Sequence, residues 1–293
     1  MATKTKHPHL LYLLFAPVVG LLTVVLRAVA LLTVYNAENG FYDAATLPIV
    51  TAVALAVLTL ALAVFSYESR VHLSFGRDYR DLPTLFSGIF LAIMLLFFGG
   101  TLLAGALDRP LSILIPAVLA SVAAIGGALL FAVRAFDGAA EGAAKAMLSL
   151  PAAALGVLFP LYLSTETSLT LNAPVKLLGI VTWVTVAFFF LGEARIALGR
   201  AKWAVHSFFT VITAVFTATL SIPNLIYHAV SGAPLLGNTA HDFAALGVCL
   251  YALARLISTV TYALRQSDPE VAALAGAEAE HGKEEPNEEA TDR

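Results

Sequence analysis

Long apolar runs separated by short polar segments dominate the chain. Eight runs approach the length of about 20 residues that a helix needs to cross the hydrocarbon core of a bilayer. The connecting segments are mostly shorter than about twenty residues, which leaves no room for a soluble domain between the runs. The pattern predicts eight transmembrane helices over Leu11–Val34, Thr46–Ser66, Leu85–Ala106, Leu111–Val133, Met147–Ser164, Val175–Ala197, Trp203–Ala229 and Thr239–Leu264.

The fifth of these helices has the weakest pattern, because it begins near Pro151 and contains Pro160. Proline is tolerated inside membrane helices where neighbouring helices satisfy the carbonyl groups that it frees. We therefore keep this span, and the chain is predicted to be an all-α, polytopic transmembrane bundle.

Composition supports this fold class. The chain has 293 residues, of which 59% are hydrophobic and 13% charged, whereas average proteins are about 45–50% apolar and about 25% charged. A soluble domain must keep its surface largely polar and has no place for so many apolar side chains. Residues 1–266 are therefore predicted to form one transmembrane domain whose main partner is the lipid bilayer.

The positive charges predict the orientation of the bundle. If the N-terminus is cytoplasmic, thirteen lysines and arginines fall on cytoplasmic segments and only Arg109 and Lys176 fall on the opposite side. This bias is the one expected for membrane proteins. It predicts that both termini are cytoplasmic and agrees with an even number of spans.

Both ends of the chain have distinctive sequences. The first apolar run resembles a signal peptide with a cleavage site near Ala28–Val29–Ala30, but its length and the arginine at the cut favour an uncleaved span. At the other end, residues 268–293 hold nine acidic side chains and no aromatic ones. Residues 267–293 are therefore predicted to be an acidic, disordered cytoplasmic tail.

Two arginines, Arg27 and Arg255, lie within predicted spans. A central arginine costs about 2.5–3.5 kcal/mol on insertion scales. Helical side chains lean toward the N-terminus of their helix, which here directs both arginines away from the nearer membrane surface. Both are therefore expected to face the bundle interior, and Arg27 is expected to bond to candidates near the outer side: Glu38, Asp43, Asn224, Tyr227 and His228.

The seventh and eighth spans each carry a polar face. The face of the eighth span contains Tyr251 and Arg255 among small residues and hydroxyls, which is typical of helix contacts. The seventh span has a stripe with helical spacing: His206, Thr210, Thr213, Thr217, Ser221, Asn224 and His228. The stripe is either a helix contact whose hydroxyls bond back to the i−4 carbonyl, or the lining of a polar cavity near the two arginines.

Two acidic residues have local explanations. Asp242 ends the sequence TAHD, a pattern typical of a capped helix start. The alternative is that Asp242 or His241 contacts Arg27 across the bundle. Glu193 lies beside Arg195 and Arg200 at the end of the sixth span, where it is expected to form a cytoplasmic surface ion pair.

The sequence gives no sign of an enzyme. It contains no HExxH, GxSxG, GxxxxGK[ST] or GxGxxG motif. His228 and His241 lie near the same membrane face but have no third ligand at the usual zinc spacing. No cofactor is expected, and the basic residues form no stripe suited to nucleic acid.

The stretch LRAVALLTVYNAENGFYD, residues 26–43, resembles a group of uncharacterised bacterial multi-span proteins. In that group an arginine near the outer end of the first helix precedes a short aromatic, acidic and glycine-containing loop. The resemblance extends to overall length and span count and carries no known activity. It implies an integral protein of a bacterial cytoplasmic membrane.

Two functions remain open from the sequence. The first is binding or transport of a small polar or anionic solute, with Arg27, Arg255 and Tyr251 joining the seventh-span stripe around it. The second is a non-catalytic structural or accessory role in the membrane. Internal repeats would favour transport, and no clear repeat relates the two halves.

Overall fold

A computed structural model describes residues 9–68, 81–136, 142–167, 169–200, 202–236 and 238–266. The described part contains eight long α-helices, each long and apolar enough to cross a membrane. Their bounds are α1 His9–Thr33, α2 Thr46–Glu68, α3 Leu82–Ala106, α4 Leu111–Phe136, α5 Ala143–Thr165, α6 Pro174–Ala197, α7 Trp203–Ser231 and α8 Ala240–Gln266. The predicted helical fold with eight long apolar helices is confirmed. The predicted tail lies outside the described residues.

Two helices, α3 and α5, begin at least three residues earlier than predicted, and for α3 the structure shows the reason. The side chain of Asp81 caps α3 by accepting a hydrogen bond from the backbone N–H of Thr84 at 2.9 Å, with Pro83 in the first turn. α5 begins at Ala143, and Pro151 and Pro160 both lie inside it. The fifth span is therefore a continuous helix despite its two prolines.

A small hairpin after α1 was not predicted. Strands β1, Tyr35–Asn36, and β2, Phe41–Tyr42, pair antiparallel, so that Tyr35 lies opposite Tyr42. Gly40 has a φ of 77° in the turn, a conformation that favours glycine. The hairpin brings Tyr42 back over the end of α1.

Close helix contacts hold the bundle together. α5 packs tightly on α6 at Gly156, where an added Cβ would lie 2.6 Å from the backbone oxygen of Trp183. α7 packs against both α1 and α8, and α3 packs against α8. The seventh and eighth helices are therefore neighbours, and they are among the most buried parts of the described chain.

The outside of the bundle is apolar. Large side chains such as Leu21, Leu60 and Val157 are more than half exposed. Polar side chains such as Thr217 and Ser221 are instead fully buried between helices. This arrangement is the one expected of an integral membrane protein, because lipid solvates the apolar surface.

Candidate functional site

Arg27 faces the interior of the bundle, as its position in the sequence predicted. Its side chain is 3% exposed. The same face of α1 lies against α7, where the hydroxyls of Thr23 and Thr219 are 2.7 Å apart and Gly20 approaches Val215. Small residues and a short hydroxyl contact thus let α1 approach α7 closely enough for Arg27 to reach its backbone.

The guanidinium of Arg27 donates three hydrogen bonds to α7. Its Nη1 donates to the backbone oxygens of Thr219 at 2.7 Å and Leu220 at 2.9 Å, and its Nη2 donates to Asn224 Oδ1 at 2.7 Å. Thr219 is four residues before Pro223, which has no N–H to donate to that oxygen. Arg27 therefore replaces a helical hydrogen bond that the proline removes.

Asn224 connects Arg27 to an acid on α8. Its Nδ2 donates to Asp242 Oδ1 at 2.6 Å, and the same oxygen lies 3.0 Å from His241 Nε2. Asp242 is 1% exposed. The interpretation of Asp242 as a helix cap missed this contact, which corresponds more closely to the alternative of a link with Arg27. We call Arg27, Asn224, His241 and Asp242 the Arg27 cluster.

A cavity opens beside the Arg27 cluster, between α1, α2 and α6. Its volume is about 120 Å³, and its lining includes Arg27, Ala30, Tyr42, Thr51 and Leu178. Burial raises the pKa of Tyr42 above its ordinary value, and the nearby charge of Arg27 opposes that rise. The hydroxyl of Tyr42 therefore keeps its proton at neutral pH and remains a hydrogen-bond donor.

A second buried cluster surrounds Arg255 near the other end of α7. Arg255 Nε donates to Glu193 Oε1 at 3.0 Å, and the hydroxyl of Tyr251 donates to Glu193 Oε2 at 3.2 Å. His206 Nε2 lies 3.5 Å from Glu193 Oε1. We call these four residues the Arg255 cluster.

The position of Glu193 corrects the sequence analysis. A surface ion pair was expected, but Glu193 is 0% exposed and forms its ion pair with Arg255 on α8. Arg195, which is its neighbour in sequence, is exposed. The helical turn between residues 193 and 195 directs the two side chains to different sides of α6.

The hydroxyls in the middle of the α7 stripe bond mostly to the backbone of their own helix. Thr210, Thr217 and Ser221 each donate to the carbonyl four residues earlier, at 2.7, 2.5 and 2.7 Å. Thr213 donates across to the backbone oxygen of Thr185 on α6 at 3.0 Å. These contacts are the ones expected of a helix–helix interface.

One residue near each end of the stripe belongs to a cluster, and the last residue of the stripe belongs to neither. His206 joins the Arg255 cluster and Asn224 joins the Arg27 cluster. His228 is half-buried one turn after Asn224, and its ring makes no hydrogen bond with Arg27 in the described part of the chain. Of the five partners predicted for Arg27, Asn224 is the one whose side chain accepts a hydrogen bond from it in the described part of the chain.

Sequence reasoning missed Glu193, Tyr42 and the carbonyl of Thr219 as members of these sites. Glu193 ends an otherwise apolar run, which was the available signal, but local charges explained it equally well. Tyr42 and Thr219 follow no periodic pattern that points to Arg27. Within the described residues, no three His, Cys, Asp or Glu side chains are grouped as a metal site would require.

Comparison of the chain with protein-family models, curated proteins and solved structures finds no match in any of the three. The function therefore has to be inferred from the two clusters and from the cavity beside Arg27.

Proposed function

We propose that this protein is a non-catalytic integral membrane protein that binds and transports a small monovalent anion. The observation that carries the proposal is the cavity whose lining includes both the buried Arg27 and Tyr42. A buried charge within a membrane span is costly and is typical of solute and ion pathways.

The bonding of Arg27 supports an anion as the ligand. Its three hydrogen bonds to α7 go to neutral acceptors, two backbone carbonyls and the Asn224 side chain, and it also hydrogen-bonds to the neutral hydroxyl of Tyr42. Asp242 is reached only through Asn224. Among the described residues, no carboxylate pairs directly with this guanidinium, so an anion in the cavity gains a favourable electrostatic interaction with it.

Arg255 is a poorer candidate for the same role. Glu193 already accepts a hydrogen bond from its Nε, so its charge is paired by direct contact. An anion near Arg255 would also approach the Glu193 carboxylate. We therefore assign the Arg255 cluster to helix packing and the Arg27 cluster to the ligand.

The size of the cavity limits the ligand. Its volume of about 120 Å³ is several times the ~30 Å³ that a water molecule occupies in the liquid. Much of the lining is apolar, including Ala30, Ala52 and Leu55. These properties fit chloride, nitrate, formate or acetate better than a large or multiply charged solute.

Binding is testable with the purified protein in a neutral detergent. We expect the sodium salt of at least one of these four anions to raise the unfolding midpoint saturably, relative to sodium gluconate at equal ionic strength. Tyr42→Phe removes one donor and keeps the ring, and a hydrogen bond to a charged group contributes about 1.5–3 kcal/mol. The variant should therefore weaken binding roughly tenfold or more.

Tyr35→Phe is the matched control, because Tyr35 lies opposite Tyr42 in the hairpin and is not among the cavity-lining residues. The proposal fails if no anion has a saturable effect, or if the two tyrosine variants behave alike. If binding occurs without uptake of that anion by vesicles containing the protein, the transport part alone is wrong.

The orientation of the protein is part of the proposal. Positive-charge bias supports cytoplasmic termini, with the cavity near the outer face of a bacterial cytoplasmic membrane. Reporter fusions after Asp43, Arg109, Glu166 and Leu235 should then report the outer side, and fusions after Arg77, Asp137, Arg200 and Ser267 the cytoplasm. A cytoplasmic signal at Glu166 would contradict this topology.

A structural or accessory role is the second candidate. It is supported by the hydroxyls of Thr210, Thr217 and Ser221, which donate hydrogen bonds to the backbone of their own helix. None of these three residues lines the cavity beside Arg27. For this role the anion titrations should give no saturable effect, while both buried clusters would still be required for stability.

A further inference from the structure

A groove runs between α6 and α7 at the end of the bundle that contains the α6–α7 turn. Its volume is about 340 Å³. The apolar part of its lining includes Phe188, Leu191, Val205 and Phe209, and the first three of these are each about 40–50% exposed. The rings of Phe188 and Phe209 are stacked with their centroids 5.0 Å apart.

The end of this groove is basic. Arg195, in the last turn of α6, and Lys202, immediately before α7, both line it and are both exposed. α7 has no side-chain cap at Lys202, so the positive end of the helix adds to the same region. Two cations therefore lie at one end of an otherwise mostly apolar surface.

Gly192 and His206 also line the groove, each one helical turn from one of the two basic residues. A Cβ added at Gly192 would lie 3.1 Å from His206 Nδ1, so the glycine leaves space above the ring. His206 also lies 3.5 Å from Glu193, which places the groove against the Arg255 cluster. A molecule seated here would cover the side of α7 on which that cluster is built.

We propose that this groove binds one anionic phospholipid from the adjacent leaflet. An acyl chain matches the exposed phenylalanine, leucine and valine side chains, and the phosphate matches Arg195 and Lys202. Basic sites between transmembrane helices are suited to anionic headgroups, while the apolar length of the groove selects a lipid over a soluble anion. This site is separate from the cavity beside Arg27 and does not depend on the function proposed for it.

The test compares lipids on the full chain purified in neutral detergent. Phosphatidylglycerol should remain bound in native mass spectrometry and should raise the unfolding midpoint saturably. Phosphatidylcholine with the same acyl chains should bind at least tenfold more weakly, and glycerol phosphate alone should have no effect. Equal effects of the two lipids, or an equal effect of glycerol phosphate, would overturn the proposal.

Two double variants assign the binding to this groove. Arg195→Gln with Lys202→Gln should weaken phosphatidylglycerol binding at least tenfold and leave folding without lipid unchanged, because both side chains are exposed. Arg109→Gln with Arg200→Gln removes the same number of exposed charges outside the groove lining and should leave binding unchanged. Equal losses in the two double variants would show that binding follows overall charge, and the groove assignment would then be wrong.

A third variant tests the apolar part of the site. Val205→Trp places a large side chain at an exposed position of the groove. We expect the folded protein to lose phosphatidylglycerol retention by at least tenfold. Full retention of the lipid in this variant would place the acyl chain elsewhere and contradict the proposal.

Discussion

Replacing Arg27 by leucine should strongly destabilise the protein. The change leaves the carbonyls of Thr219 and Leu220 and the side chain of Asn224 without the donor that the structure gives them. It also leaves Asp242 without the nearby positive charge. A buried polar group left without its partner costs about 1–3 kcal/mol, so the unfolding midpoint in detergent should fall clearly.

The opposite result has a simple physical meaning. If Arg27 reached the membrane surface instead, leucine would be neutral or stabilising, because it is favoured in lipid. Arg109→Leu is the control, since Arg109 is exposed in the turn after α3 and such changes are usually within about 0.5 kcal/mol. An unchanged or raised midpoint for Arg27→Leu would contradict the interior position.

The Arg255 cluster should show strong coupling between its two charges. Glu193→Leu removes the carboxylate that pairs with the buried guanidinium, and Arg255→Met removes the guanidinium that pairs with the buried carboxylate, so each should cost about 3–5 kcal/mol. The double variant replaces both charges with apolar side chains and should cost much less than the two single changes combined. Measuring unfolding free energies for the four proteins gives the coupling directly.

Tyr251→Phe gives the cost of losing a single hydrogen bond in the same cluster, with which the coupling can be compared. It removes one hydrogen bond of 3.2 Å to the Glu193 carboxylate and leaves the ring in place, which should cost about 1.5–3 kcal/mol. Additive losses for Glu193→Leu and Arg255→Met would show that the ion pair contributes little, and the role assigned to this cluster would be wrong.

The helices could be predicted from the sequence because their signals are local. Twenty-residue apolar runs and their short connections gave all eight spans, and the lean of helical side chains gave the interior position of Arg27. The start of α3 was missed by three residues, because the cap at Asp81 depends on one side-chain hydrogen bond. The hairpin containing Tyr42 was missed because two-residue strands carry no periodic pattern.

The partners within the clusters could not be predicted, because they depend on which helices are neighbours. The sequence shows that Pro223 frees a carbonyl, but it does not show that α1 supplies the missing donor. Glu193 has Arg195 close in sequence, and only the packing of both α6 and α8 against α7 brings it to Arg255 instead. Local patterns therefore gave Glu193 the wrong partner and missed the contact of Asp242 with Asn224.

The central claim is that Arg27 occupies the position left by the missing N–H of Pro223. A double-mutant cycle of Arg27→Leu and Pro223→Ala tests it, because alanine restores a donor to the carbonyl of Thr219. We expect Arg27→Leu to cost at least about 1 kcal/mol less in the Pro223→Ala background than in the natural chain. An equal cost in both backgrounds would contradict the claim.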